Sequence, residues 1–171
     1  MRKFLCLVPC ALCLYVFAPA HAGISIDFYG GAMMGAGPMW VVGDANGGQS
    51  FGAVIGADMP IVRGEIEYNF IRKSDTNAHI GMLNGYIKAP IPVVKPYIGV
   101  GIGQVFGGDS DIVNVRSAPA YQGMVGMQID VPGAPLFLDL ETRLLSAPRF
   151  AHGGHNLAHW DILRLKLRYQ F

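Results

Sequence analysis

The sequence predicts an all-β protein, an eight-stranded antiparallel up-and-down transmembrane β-barrel with a polar, salt-bridged interior. Three features indicate this fold class: an export leader, eight segments of alternating polarity, and two kinds of connection between those segments. A strand that crosses a membrane needs about 9–11 residues, with its apolar face toward lipid and its polar face toward the lumen.

The first 22 residues have the layout of a secretory signal peptide. Arg2 and Lys3 precede a short apolar run, and Ala20-His21-Ala22 follows as a cleavage site of small residues. The run is shorter than the ~20 residues that a spanning helix requires. We therefore expect residues 1–22 to be removed and residues 23–171 to form one outer-membrane barrel domain.

Composition narrows the class of the exported protein. All three cysteines (Cys6, Cys10 and Cys13) lie in the leader, so disulfides would not stabilise the mature chain. Removal of Arg2 and Lys3 leaves 11 cations against 12 acids, with no basic run that favours nucleic-acid binding. No apolar run after the leader approaches the length of a membrane helix, which leaves a soluble β-sandwich or a membrane barrel.

Eight strands can be assigned from the alternation and the turn residues. The predicted strands are 24–34, 50–59, 62–72, 80–89, 96–106, 118–131, 135–145 and 160–171. Connections after the first, third, fifth and seventh strands are long or polar, whereas the other three are short and contain proline. Long loops at one end and tight turns at the other, with both termini on the turn side, are typical of outer-membrane barrels.

The polar face of these strands carries opposite charges in nearly equal number. If eight strands close, the eighth lies between the seventh and the first, so its cations are flanked by acids on both sides, and the acids of strand three reach across the lumen. The interior of an eight-stranded barrel is so narrow that its own side chains fill it. Charges buried there must be paired. The predicted lumen network is Asp27, Glu65, Glu67, Asp139, Glu141, Arg143, Arg164, Lys166 and Arg168.

Strand five has glycines at every second position, Gly99, Gly101 and Gly103. They match neither a dinucleotide-binding nor a Walker pattern. We expect them to make room for long side chains from across the barrel.

Four stretches carry a resemblance to a known family: "VVKPYIGVGIG" (93–103), "AYQGMVGMQIDV" (120–131), "FLDLETRLL" (137–145) and the terminal Phe171 after alternating apolar residues. The chain resembles the small outer-membrane barrels of Gram-negative bacteria, the OmpA-like transmembrane domain and the opacity and neisserial surface protein A group. The resemblance implies a monomer in the outer membrane, in contact with the lipid bilayer and lipopolysaccharide. It also implies that Tyr169 and Phe171 form the assembly signal recognised by the barrel-insertion machinery. The separate peptidoglycan-binding domain of OmpA has no counterpart in the sequence.

The last predicted loop contains three histidines, His152, His155 and His159, at spacings that could suit zinc or copper. The intervening Gly153-Gly154 does not favour a helix that would hold them, and no cysteine or clear carboxylate joins them. They remain weak metal candidates, and the sequence assigns no metal and no cofactor.

The predicted function is a structural or surface-interaction role, adhesin-like or ligand-contacting, through extracellular loops above a plugged lumen. Met39 and Trp40 in the first loop are the contact candidates for a host or surface ligand. One alternative is a lipid A-modifying membrane enzyme of the deacylase type, but its His-x-Ser motif is not found and no catalytic residue is assigned. The other is a narrow pore, which the large inward side chains disfavour.

Overall fold

The computed structural model describes residues 25–41, 44–73, 76–110, 117–150 and 156–171. They form eight strands: β1 (Asp27–Val41), β2 (Asp44–Asp58), β3 (Val62–Lys73), β4 (Thr76–Lys88), β5 (Val94–Ser110), β6 (Ala118–Asp130), β7 (Leu136–Ala147) and β8 (Leu157–Gln170). Each strand pairs antiparallel with the next, and β8 pairs with β1 to close the barrel. The predicted fold class is confirmed. Within the described ranges, no helix is long and apolar enough to cross a membrane.

The two ends of the barrel differ less in their connections than the sequence predicts. At the turn end, three to five residues join the strands (59–61, 89–93 and 131–135). At the loop end, longer connections follow only β5 and β7, whereas β1–β2 and β3–β4 are joined by two residues each. The expected long first loop is therefore wrong, because the ladder between β1 and β2 continues up to the pair Val41 and Asp44.

The lumen has two parts of opposite polarity. From the turn end to the middle it holds charged and amide side chains, as predicted. At the loop end it is filled instead by an apolar cluster, the apolar plug, made of Met39, Ile71, Ala78, Ile80, Met82, Val105, Ala120, Leu145, Ala147, Phe150 and Leu157. The predicted polar interior is therefore densest from the turn end to the middle, and at the level of the plug fewer polar side chains, such as Ser50, Thr76 and His159, lie inside.

The outer wall is apolar over the same stretch in which the lumen is charged. On β5, Ile98, Val100 and Ile102 are 60–71% exposed, and β8 presents Leu165 and Leu167 in the same way. We call this surface the apolar band; its other members include Ile55, Ile66, Leu83, Val125, Ile162, Leu163 and Leu144. Beyond the band, the outward positions at the loop end include the exposed polar residues Gln49 and Arg72.

Candidate functional site

The charged part of the lumen contains six acids and six cations among the described residues, all of them buried. The acids are Asp58, Glu65, Glu67, Asp139, Glu141 and Asp161; the cations are Arg63, Lys88, Arg143, Arg164, Lys166 and Arg168. We call this set the lumen network. Eight of the nine charged residues predicted for the lumen belong to this network, and the exception is Asp27.

Glu67 on β3 lies at the centre of the lumen network. Its Oε1 is 2.6 Å from Arg164 Nη2 and 3.3 Å from Arg143 Nη1, and its Oε2 is 4.0 Å from Lys166 Nζ. Asn84 Nδ2 donates a hydrogen bond of 2.9 Å to Glu67 Oε2. Arg164 also donates from Nη1 to Glu141 Oε1 at 2.8 Å, so one guanidinium joins β8 to both β3 and β7.

A second layer, nearer the turn end, is built around Asp139 on β7. Arg63 Nη1 donates to Asp139 Oδ2 at 3.0 Å, and Arg168 donates from Nε and Nη2 to the two carboxylate oxygens at 3.0 and 2.9 Å. The Arg63 guanidinium lies 4.0 Å from the centre of the Tyr86 ring, and that of Arg168 lies 4.5 Å from the Tyr29 ring. Such cation–π contacts add to the stabilisation of buried guanidinium groups.

Three buried tyrosines each lie opposite a glycine on a neighbouring strand. The cross-strand pairs are Tyr29 with Gly56, Tyr86 with Gly99, and Tyr97 with Gly126. In each pair, a Cβ added to the glycine would meet the tyrosine ring at less than 3 Å. The rings therefore occupy the space that the glycines leave open.

Each of these tyrosine hydroxyls donates to an acid of the lumen network. Tyr29 and Tyr86 donate to Glu65 at 2.8 and 3.1 Å, and Tyr97 donates to Glu141 at 2.9 Å. Lys166 Nζ is also 2.7 Å from Glu65 Oε1. Burial of these carboxylates is thus accompanied by both ion pairs and neutral donors, as a low-dielectric site requires.

The glycines of β5 make room for large side chains, as predicted, but not for side chains from across the barrel. Gly99, Gly101 and Gly103 all face inward, but a Cβ there would meet Tyr86, Asn84 and Met82 of the adjacent strand β4. The space serves the neighbouring strand rather than the opposite wall, because an eight-stranded barrel brings cross-strand side chains together before they reach its axis.

The cations of strand β8 have acids as direct cross-strand partners only on β7, although Arg168 also lies 3.6 Å from Asp58 on β2. Arg164 lies opposite Glu141 and Lys166 opposite Asp139 on β7, as predicted. On β1, however, Arg164, Lys166 and Arg168 lie opposite Gly35, Met33 and Gly31. The predicted contact with Asp27 is wrong: Asp27 is in register with Asp58 near the turn end and forms no ion pair with any described residue.

Asp161 belongs to the lumen network but is not among the charges predicted for it from the sequence. A bulge turns both Ile162 and Leu163 outward, so the alternation changes phase and Asp161 points inward. Its carboxylate contacts Arg143, accepts from Ser50 Oγ at 2.9 Å, and is 2.8 Å from His159 Nε2. Two adjacent apolar residues between Asp161 and Arg164 are the sequence signal of this bulge.

The predicted metal and loop candidates lie in different surroundings. His152 and His155 fall outside the described residues, and His159 is buried in the lumen. No group of three metal-binding side chains occurs within the described ranges. Met39 is fully buried in the apolar plug, so its expected exposure is wrong, because β1 continues through it; Trp40 is half-buried on the outer wall.

The two candidate assembly residues lie at the turn end. Tyr169 is the last outward residue of β8, and Phe171 follows the strand with 71% of its surface exposed. The backbone N–H of Phe171 donates to the Phe28 carbonyl at 3.1 Å, which ties the end of the chain to β1.

Comparisons with known proteins indicate the fold. No protein-family model matches the chain, and no curated protein matches it significantly. Neisserial surface protein A is similar in structure, with a TM-score of 0.68 and 16% identity over 88% of this chain and 100% of that one. The N-terminal β-barrel domain of OprF from Pseudomonas aeruginosa has a TM-score of 0.53 and 12% identity over 83% and 97%. The chain therefore has the fold of small outer-membrane barrels.

Proposed function

We propose that this protein resides in a Gram-negative outer membrane as a plugged barrel whose loop end contacts molecules at the cell surface. The main support for this proposal is that the apolar band forms the outer wall of the barrel at the level where the lumen network fills its interior. A soluble barrel places its apolar residues inside, whereas here they are outside wherever the inside is charged. Monomeric soluble proteins rarely expose a contiguous apolar surface of more than a few hundred Å².

The loop end has the opposite arrangement, and this supports a projecting surface. The apolar plug fills the inside there, and polar residues such as Gln49 and Arg72 stand outside. This is the polarity of a barrel surrounded by water. The ends of the strands would then rise above the lipid as a rigid platform, which is the part of a scaffold on which contact residues are found.

The alternatives receive less support from the geometry. Arginine side chains from β3, β7 and β8 meet carboxylates in the centre of the lumen, and the apolar plug lies above them, so a pore would need both layers to move. For a lipid A deacylase, a histidine and serine would have to face lipid. His159 and Ser50 instead bond to Asp161 within the lumen. His79 and Ser146 do lie on the outer wall, but on β4 and β7, which are not adjacent strands.

Membrane residence can be tested by expressing the protein in a Gram-negative host, separating inner and outer membranes, and comparing boiled with unboiled samples on a gel. We expect the protein in the outer-membrane fraction, with a mobility that changes on boiling. A soluble or inner-membrane protein without that change would contradict the proposal.

The surface role is tested by binding of host-cell or matrix components to cells that display the protein, with Arg72→Ala and Gln49→Ala as variants of the loop end.

A further inference from the structure

The outer wall carries a polar pair within a group of aromatic side chains on β3, β4 and β5. Tyr68, Phe70, His79 and Phe106 are linked by ring contacts with centroid separations of 5.0–6.4 Å. We call these four residues the outer aromatic cluster. The Tyr68 hydroxyl oxygen lies 2.7 Å from His79 Nδ1, and both side chains face outward. Amphipathic aromatic rings are typical of the level at which a membrane protein meets lipid headgroups.

An arginine stands beside this cluster on its loop side. Arg72 follows Phe70 on the outward face of β3 and is exposed. In the ladder between β3 and β4, Phe70 lies opposite His79 and Arg72 lies opposite Asn77, so Arg72 and His79 are diagonal neighbours on one face. Diagonal neighbours are about 7–8 Å apart, which is within reach of a long side chain.

Neither β3 nor β4 supplies an acid that would neutralise Arg72. The two acids of β3, Glu65 and Glu67, are buried in the lumen, and β4 contains no acid. Arg72 forms no ion pair with any residue whose side chain the structure describes. The outer wall therefore has an uncompensated positive charge directly above the outer aromatic cluster.

His79 contributes a second group that can bind an anion. Its Nδ1 is engaged by Tyr68, and its Nε2 has no partner in the described part of the chain. A neutral imidazole that accepts a hydrogen bond at Nδ1 carries its proton on Nε2, which is then a donor. A guanidinium and an N–H donor on the same face suit a phosphate group, which accepts several charge-assisted hydrogen bonds.

An apolar groove of about 590 Å³ begins directly below the outer aromatic cluster, on its turn side. Its lining includes Ile66, Gly81, Leu83, Ile102 and Tyr121. Gly81 follows His79 on the outward face of β4 and lies between Tyr68 on β3 and Gln104 on β5. Because Gly81 has no side chain, the groove is continuous with the cluster, and its aliphatic walls suit a hydrocarbon chain.

We propose that this face of the barrel binds a phosphate-bearing membrane lipid. The phosphate accepts hydrogen bonds from Arg72 and His79, and one acyl chain lies in the groove over Gly81. The inference rests on the proposed residence in a membrane and assigns a lipid site to the side formed by β3, β4 and β5. A soluble phosphate has no chain for the groove, and a neutral lipid has no anion for Arg72, so both parts of the ligand are required.

The test uses the mature chain folded in a neutral detergent, with folding checked by its heat-dependent gel shift, and native mass spectrometry to count bound lipid. The probe is dioctanoyl phosphatidic acid. Dioctanoylglycerol is the control with the same chains and no phosphate, and glycerol 3-phosphate is the control without chains. We expect saturable binding of one phosphatidic acid and no saturable binding of either control.

Each other result would overturn the proposal. Equal binding of dioctanoylglycerol would show only general affinity of the apolar band for lipid, and equal binding of glycerol 3-phosphate would show an anion site without the groove. A folded protein that binds no phosphatidic acid would also overturn it. That last result would leave the proposed function intact, because residence in the outer membrane is measured separately by fractionation.

Variants of the headgroup site separate it from general attraction to a basic surface. Arg72→Gln should weaken phosphatidic acid binding by about tenfold or more, as expected when a hydrogen bond between charged groups is lost. His79→Phe, which keeps an aromatic ring in the cluster, should also weaken it. Arg149→Gln is the matched control, because Arg149 is an exposed arginine beyond β7, and should leave the affinity unchanged. Equal affinity of the Arg72 and Arg149 variants would contradict the assignment.

A second pair of variants tests the groove. Gly81→Leu places a side chain on its floor and should weaken phosphatidic acid binding, with little effect on folding because its Cβ meets only the edge of the Phe106 ring, at 3.3 Å. Gly64→Leu adds the same side chain to the outer wall nearer the turn end, where a Cβ meets nothing within 4 Å. It should leave the affinity unchanged. Equal affinity of these two folded variants would show that the acyl chain does not lie over Gly81.

Discussion

Arg164 illustrates how single residues hold the barrel together. Its guanidinium lies 2.6 Å from Glu67 and 2.8 Å from Glu141, and none of its side chain is exposed. Transfer of such charges from water is costly, and their mutual attraction offsets the cost only while every partner is present. Loss of one member therefore leaves an unpaired charge in a site that water does not reach.

Replacement of Arg164 by methionine should lower the free energy of unfolding by about 3–5 kcal/mol, the range found when one partner of a buried ion pair is removed. The measurement is urea unfolding of the barrel in phospholipid vesicles, followed by tryptophan fluorescence. Arg72→Met is the matched control, because Arg72 is exposed on the outer wall, and its effect should stay within about 0.5 kcal/mol. Similar losses for both variants would show that the lumen network is not the source of stability.

The Tyr–Gly pairs lead to a prediction that distinguishes inward from outward glycines. In Gly99→Ala, the added Cβ would collide with the Tyr86 ring, so overpacking should cost about 1–3 kcal/mol. In Gly85→Ala on the adjacent strand, the Cβ meets nothing within 4 Å, and the variant should be as stable as the wild type or up to about 1 kcal/mol more stable. Equal thermal stability of the two variants would contradict the assignment of faces.

At the scale of the strands, alternation predicts the inward and outward faces well and predicts strand ends poorly. Arg63, Glu65 and Glu67 on β3 face the lumen as their spacing requires, because side chains of a strand alternate strictly. Asp161 was missed because a bulge changes that phase. The loop-side ends of β1 and β2 were missed because glycine and proline interrupt the alternation there, at Gly35, Gly37, Pro38, Gly47 and Gly48, and such a stretch resembles a loop in the sequence.

Deletion of Phe171 should reduce assembly and leave stability nearly unchanged. The residue lies beyond β8; its backbone N–H bonds to Phe28, and its largely exposed ring lies near Gly30 on the outer wall of β1. We expect less heat-modifiable protein in the outer membrane of expressing cells, while the purified variant unfolds at the same urea concentration as the wild type. Gln170→Ala serves as the control. Normal amounts of assembled protein after the deletion would exclude an assembly role.

In the molecule as a whole, the lumen is filled at two successive levels, first by the lumen network and then by the apolar plug. The lumen network crosses the barrel from β3 to β7 and β8, and the apolar plug closes the loop end. A cavity lined by Asp27, Asp58 and Lys88, among others, lies at the turn end, and both layers separate it from the loop end.

Planar bilayers with the purified protein should show no reproducible conductance steps at neutral pH and moderate voltage. The physical reason is that ions would have to pass a layer of buried ion pairs and then an apolar layer. Arg164→Met, which loosens the first layer only, should remain silent because the apolar plug persists. Regular steps from the wild-type protein would show that the lumen opens.

The central claim is that the apolar band faces lipid while the loop end faces water. Removal of the predicted leader leaves no cysteine in the chain, so single cysteines can carry nitroxide labels without other changes. Labels at Val100 in the band and at Gln49 near the loop end can be compared in vesicles by their relaxation with oxygen and with a water-soluble nickel complex. We predict that the Val100 label favours oxygen and the Gln49 label favours nickel. A Val100 label that favours nickel would contradict the account.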